Sequence, residues 1–139
     1  MPVDHQFTRE SCWGFTYTAD VKGCRDALGC FMDDFESKFQ AQCYLNKFCA
    51  YVVEAIGMQA YGSPQMIMFG EGNAAGWTVI QLLTTSALVM HLCNESRDIY
   101  IDLTSCKYFA PDTIEHAVNR WFSPESVKYT YHRRDTRLN

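Results

Sequence analysis

Residues 77–106 read WTVIQLLTTSALVMHLCNESRDIYIDLTSC, and the fold follows from this stretch. Its last part, Asp98 to Cys106, sets Ile99, Ile101 and Leu103 on one side and Tyr100, Asp102, Thr104 and Cys106 on the other, the period of two that marks a half-buried strand. Its first part, Trp77 to Leu92, is too β-branched and Thr-rich for a helix. The small hydroxyl residues Thr84-Thr85-Ser86 suit a turn, which predicts two strands joined at Ser86.

Working outward, Phe15, Tyr17, Ala19 and Val21 alternate with Thr16, Thr18 and Asp20, predicting a strand that ends at Lys22-Gly23. From about Asp33 to Ile56, Phe35, Phe39, Phe48, Val52 and Ile56 recur at helical spacing, with acidic residues at the start and Gly57 just past the end. Met58 to Phe69 reads as a strand interrupted by Gly62-Ser63-Pro64, and Gly70-Glu71-Gly72-Asn73 turns the chain. After Pro111, Asp112 and Glu115 resemble a capping box, and Ile114, Ala117, Val118 and Trp121 form a helical stripe. Val127, Tyr129 and Tyr131 make a last alternating strand. Strand, helix, hairpin-linked strands, helix, strand predicts an α+β fold, a two-layer α/β sandwich with a mainly antiparallel sheet and helices on one face. Trp13 and Trp77 are read as core.

A chain of 139 residues is one average domain, so residues 1–139 are expected to form a single unit. No apolar run approaches the roughly 20 residues that cross a bilayer, and MPVDHQFTRES carries no secretory pattern, so no membrane partner and a cytoplasmic location are expected. The seven cysteines include no C-x-x-C pair and are read as reduced thiols, with no metal. A net charge of −4 argues against nucleic acid, and the basic cluster His132-Arg133-Arg134 with Arg137 is read as a solvated tail.

Polar chemistry concentrates between Thr78 and Cys106, where hydroxyls (Thr78, Thr84, Thr85, Ser86), an imidazole (His91), a carboxylate (Glu95) and a thiol (Cys106) supply nucleophile, base and acid. The same residues could equally be strand decoration, a half-buried histidine and a space-filling cysteine. An esterase triad is disfavoured, because no G-x-S-x-G elbow surrounds Ser86.

The spacing resembles that of the small prokaryotic S-adenosylmethionine decarboxylases. In that family a hydroxyl residue lies eight positions before a self-cleaved serine, a histidine five after it, a glutamate nine after and a cysteine twenty after, the intervals of Thr78, Ser86, His91, Glu95 and Cys106. The strand Tyr100 to Cys106 and the terminal strand Val127 to Arg134 with its basic end agree as well. The sequence departs in reading Thr85-Ser86-Ala87 where the family usually has Glu-Ser-His, and Leu92-Cys93-Asn94-Glu95 where it has Thr-Trp-Pro-Glu. Its segment Met66 to Trp77 is also longer than the family's loop.

The resemblance implies self-cleavage between Thr85 and Ser86, with Ser86 becoming a covalent pyruvoyl group that forms a Schiff base with S-adenosylmethionine and serves as electron sink for its decarboxylation. It assigns His91 to proton removal, Thr78 to the oxyanion, Cys106 to reprotonation, Glu95 to the ribose hydroxyls and Phe69 to the adenine, with no metal. It further implies a role in spermidine synthesis and a homodimer in which His91 and Thr78 face the other chain's Ser86. The alternatives are a related arginine or ornithine decarboxylase, and an unprocessed homologue that binds a nucleoside or regulates a partner.

Overall fold

The computed structural model describes residues 12–25 and 28–135. Strand β1 (Cys12–Lys22) leads to helix α1 (Phe35–Ala55), then β2 (Gln65–Phe69), a single 3₁₀ turn (Gly72–Ala74), β3 (Gly76–Leu83), β4 (Ser86–Cys93), β5 (Asp98–Ser105), helix α2 (Pro111–Phe122) and β6 (Ser126–Asp135). The six strands form one sheet in the order β2-β3-β4-β5-β1-β6, and every neighbouring pair is antiparallel.

Alternation along the strands sorts the sheet into an inward and an open face. Tyr17, Ala19 and Val21 of β1, Val79 of β3, Leu88, Met90 and Leu92 of β4, and Ile99, Ile101 and Leu103 of β5 all point inward and are buried. They share one core with Ala41, Leu45, Phe48, Cys49, Val52 and Val53 of α1 and Ile114, Ala117, Val118 and Phe122 of α2. Both helices therefore cover the same face, the α+β sandwich expected from the element order. Phe48 meets Phe122 edge-on at 4.9 Å, and the Tyr44 hydroxyl donates to the carbonyl of Trp121, which ties the helices together.

The boundaries follow local chemistry. Asp34 caps α1, its Oδ1 accepting from the Ser37 N–H at 3.0 Å and its Oδ2 from the Ser37 hydroxyl at 2.8 Å. Those bonds, the backbone one foremost, hold the Asp34 carboxyl below its ordinary range. Pro111 occupies the first turn of α2, where its missing N–H costs nothing.

Several expectations are corrected. Phe35 and Phe39 are one turn apart, but Phe39 and Phe48 are nine residues apart, two and a half turns, so the first two lie off the buried face of Ala41, Leu45 and Phe48, and both are exposed. Asp112 and Glu115 do not form a capping box, because Ala110 is the N-cap and has no side-chain bond to give. Of Met58 to Phe69 only Gln65 to Phe69 is strand, joined by an isolated bridge between Ala60 and Leu83. Ser86 is not the turn but the first residue after it. His132, Arg133 and Arg134 belong to β6 rather than to a tail, and Arg137 lies outside the described residues. Trp77 is core, whereas Trp13 is 43% exposed.

Candidate active site

The candidate residues fall into two groups at opposite ends of the sheet: His91 stands on the open face, whereas Ser86, an odd number of residues away, has the parity of the inward Leu88, Met90 and Leu92. One surrounds the β3–β4 turn. Leu83 pairs with Ser86, leaving Thr84 and Thr85 as a two-residue connection, and Thr85 lies in the left-handed region with φ +60°. That conformation suits glycine or asparagine; a β-branched side chain there is strained. The Thr85 hydroxyl has one proton, donated to the Thr84 carbonyl at 2.5 Å. Its contact with Cys106 Sγ at 2.8 Å is then donated by the thiol. The Cys106 N–H donates to Ser86 Oγ at 3.1 Å, which fixes that oxygen beside the turn. Serine, thiol and strained peptide thus share one rim of the sheet.

The second group lies toward the other end. Thr78 and His91 face each other across β3 and β4, with Thr78 Oγ1 3.3 Å from His91 Nδ1, so the hydroxyl sets the ring and leaves Nε2 without a partner among the described residues. Their row continues across the open face as Ile67, Thr78, His91, Tyr100, Asp20 and Lys128. Phe69 ends β2 opposite Gly76, half-exposed. A side chain at residue 76 would put its first carbon 1.7 Å from the Leu92 carbonyl oxygen, so only glycine allows β3 to approach β4 here. Glu95, in the turn after β4, lines a cavity of about 600 Å³ with Gly70, Glu71 and Asn94 from the neighbouring turns and Phe31 from the loop before α1.

Within one chain the two groups do not meet. Ser86 and His91 are five residues apart on one strand, about 17 Å at the rise of an antiparallel strand.

Exposure separates Cys106 from the three buried cysteines. Burial pushes the Cys24, Cys30 and Cys49 thiols up to about 12, which makes them poor nucleophiles and acids. Cys106 stands half-exposed at the rim, and the described cysteines form no disulfide. No group of three or more His, Cys, Asp or Glu among the described residues is arranged to hold a metal ion. No helix among them is long and apolar enough to cross a membrane.

Residues 17–135 match the family model described as S-adenosylmethionine decarboxylase. The chain belongs to the S-adenosylmethionine decarboxylase family. It is thereby placed among carboxy-lyases, and S-adenosylmethionine is the substrate that the family implies. Among solved structures the chain is similar to an adenosylmethionine decarboxylase from Aquifex aeolicus VF5, with a TM-score of 0.63 and 18% identity over 91% of this chain and 94% of that one. At that identity the likeness speaks for the shared fold. No curated protein matches the chain.

Two features of the site were missed by the sequence reading: the strain at Thr85, and the hydrogen bonds that join Thr85 and Ser86 to Cys106. A β-branched residue in a two-residue hairpin turn was a signal available for the first.

Proposed function

We propose that the chain cleaves itself between Thr85 and Ser86, turns Ser86 into a pyruvoyl group, and as a homodimer decarboxylates S-adenosylmethionine to the aminopropyl donor for spermidine. The observation that carries this reading is the cluster of Ser86, Thr85 and Cys106 at a strained turn, in a chain of this family.

The residues fit the generation of such a group. The Ser86 hydroxyl attacks the Thr85 carbonyl, moving the acyl chain from nitrogen to oxygen and relieving the left-handed strain at Thr85. Elimination then needs a base for the Ser86 α-proton; it releases the Thr85 carboxylate, and hydrolysis releases ammonia, leaving chains 1–85 and 86–139. The role of the base falls to His91 and that of the oxyanion donor to Thr78. The pyruvoyl ketone would supply the electron sink for loss of carbon dioxide. Cys106, whose thiol is directed at Thr85 in the turn, would return a proton to the substrate's α-carbon. Glu95 and Phe69 would bind ribose and adenine.

Since Ser86 and His91 lie about 17 Å apart along one strand, a site containing both requires a second chain. The open face supports that partner, because Ile67, Phe69 and Leu82 stand uncovered on it. A two-fold axis lying between two such faces and running across the strands would set the Ser86 end of one chain over the His91 end of the other.

The test is the intact mass of freshly purified protein under denaturing conditions. Fragments 1–85 and 86–139 are expected, the second with a pyruvoyl terminus, and Ser86→Ala should abolish both cleavage and decarboxylation. Decarboxylation by the Ser86→Ala chain would overturn the mechanism. A single chain, uncut over days, would instead identify a binding or regulatory homologue, the reading favoured by Thr85-Ser86-Ala87.

A further inference from the structure

The geometry points to Arg134 as the group that receives the substrate's α-carboxylate, in a pocket beside Cys106 formed by Trp13, Thr104 and Arg134. This rests on the function proposed above and names how that site recognises the amino-acid end of its substrate.

The pocket is a product of irregular pairing at the start of β1. Cys12 pairs with Asp135 and Gly14 with Arg134, so Trp13 is the extra residue of a β-bulge. A bulge re-aims its side chain, and here the indole lines a cavity of about 360 Å³ with Thr104, Arg134 and Asp135. Thr104 lies on the open face, paired with Thr16 and Ala87, so the cavity opens on the same side as His91 and Cys106.

Gly14 is the next element. A side chain on residue 14 would have its first carbon 1.9 Å from the Ser105 carbonyl oxygen and 2.8 Å from the Cys106 Cα, so only glycine admits this approach of β1 to the end of β5. Cys106 and Arg134 consequently flank a residue with no side chain. Two strand spacings of about 5 Å separate their backbones, a gap that an arginine side chain and a small ligand can span together.

The guanidinium is available. Its Nη1 donates to Thr16 Oγ1 at 3.1 Å, which anchors it over the open face. Its sequence neighbour Asp135, which also lines the cavity, is paired with Arg133 Nε at 3.4 Å, and Arg134 has no carboxylate partner among the described residues. A guanidinium with free donors, fixed beside the hydroxyl of Thr104, matches a carboxylate through paired N–H bonds. In S-adenosylmethionine the one carboxylate sits on the carbon whose amino group must reach Ser86, and Ser86 Oγ is held by Cys106 N–H at 3.1 Å. A substrate so placed can turn its carboxylate toward Arg134.

The contact has a definite kinetic meaning. It is made in the ground state and disappears as carbon dioxide leaves, so it serves selection of the substrate and release of the product rather than acceleration.

The test compares two ligands that differ only by the carboxylate, S-adenosylmethionine and its decarboxylated amine, binding by calorimetry to the full chain with Ser86→Ala so that no turnover intervenes. Adding Arg134→Gln should weaken S-adenosylmethionine by about 10- to 100-fold, the range for a charge-assisted hydrogen bond, and leave the amine unchanged. Arg134→Lys should recover part of the loss, since it keeps the charge without the fork. Equal weakening of both ligands, or of neither, would overturn the assignment. Failure of both ligands to bind while Arg134 is intact would overturn the assignment of this pocket, and an uncut wild-type chain would overturn the functional reading beneath it.

Discussion

The two ends of the sheet are built on different principles. At the Ser86 end the candidate groups are placed by backbone: a turn residue at φ +60°, a serine oxygen held by a main-chain N–H, and a thiol whose partner is the turn itself. At the His91 end they are placed by side chains on regular strands, a threonine setting an imidazole across one pair and an aromatic ring beside a glycine. The first arrangement suits bond breaking within the chain, since strain at a peptide is released only by breaking or reorienting it. The second suits service to another molecule. Neither end holds all the candidate residues, which is the reason the proposed mechanism brings in a second copy of the chain.

The sharpest way to break this comparison is complementation. Chains carrying only Ser86→Ala or only His91→Ala should each lack decarboxylase activity, but co-expression should restore about one quarter of the wild-type level. Half of randomly formed dimers are mixed, and each mixed dimer has one site with both residues intact. Complete absence of restored activity, with mixed dimers demonstrated by tagged co-purification, would place each site within one chain. A smaller effect separates the duties at the Ser86 end. Cys106→Ala should spare at least some cleavage, seen as the 86–139 fragment by mass, while lowering kcat by about 10²- to 10⁴-fold, the range for loss of a general acid. Equal loss of both steps would make the thiol part of the cleavage machinery instead.

How much of this was legible in the sequence depends on whether local pattern or long-range geometry decides the matter. Asp98 to Cys106 and Phe15 to Val21 alternate without interruption, and both are strands with the expected residues inward. Phe35 and Phe39 were misread because the nine-residue step from Phe39 to Phe48 is two and a half helical turns, which sets Phe39 and Phe48 on opposite sides of α1. The candidate residues could be chosen from spacing, but an interval of five means about 17 Å on a strand and about 7.5 Å on a helix, so their division between two ends needed the secondary structure. The order of strands, which puts β1 between β5 and β6 and so brings Arg134 near Cys106, has no local signature at all. Neither does the bulge at Trp13, which left an exposed tryptophan looking like core.

The finest test of the comparison concerns Thr85 alone. If the turn stores strain, glycine should relieve it, because a residue without Cβ occupies φ +60° at no steric cost. In the Ser86→Ala chain, where cleavage cannot interfere, Thr85→Gly should therefore stabilise the fold by about 1 kcal/mol, raising Tm by roughly 2–6 °C. In the chain with Ser86 intact the same substitution should slow cleavage by about 5-fold, because the energy removed from the ground state is no longer released on attack. The two effects must run in opposite directions. The lost Thr85 hydroxyl works against the first, since it gives up the contacts with Thr84 and Cys106, and Thr85→Asn, which tolerates the left-handed region and keeps a polar side chain, controls for it. Unchanged Tm together with faster cleavage in both variants would show that the turn is an unstrained support, and that the chemistry of this end rests on Ser86 and Cys106 without help from the backbone.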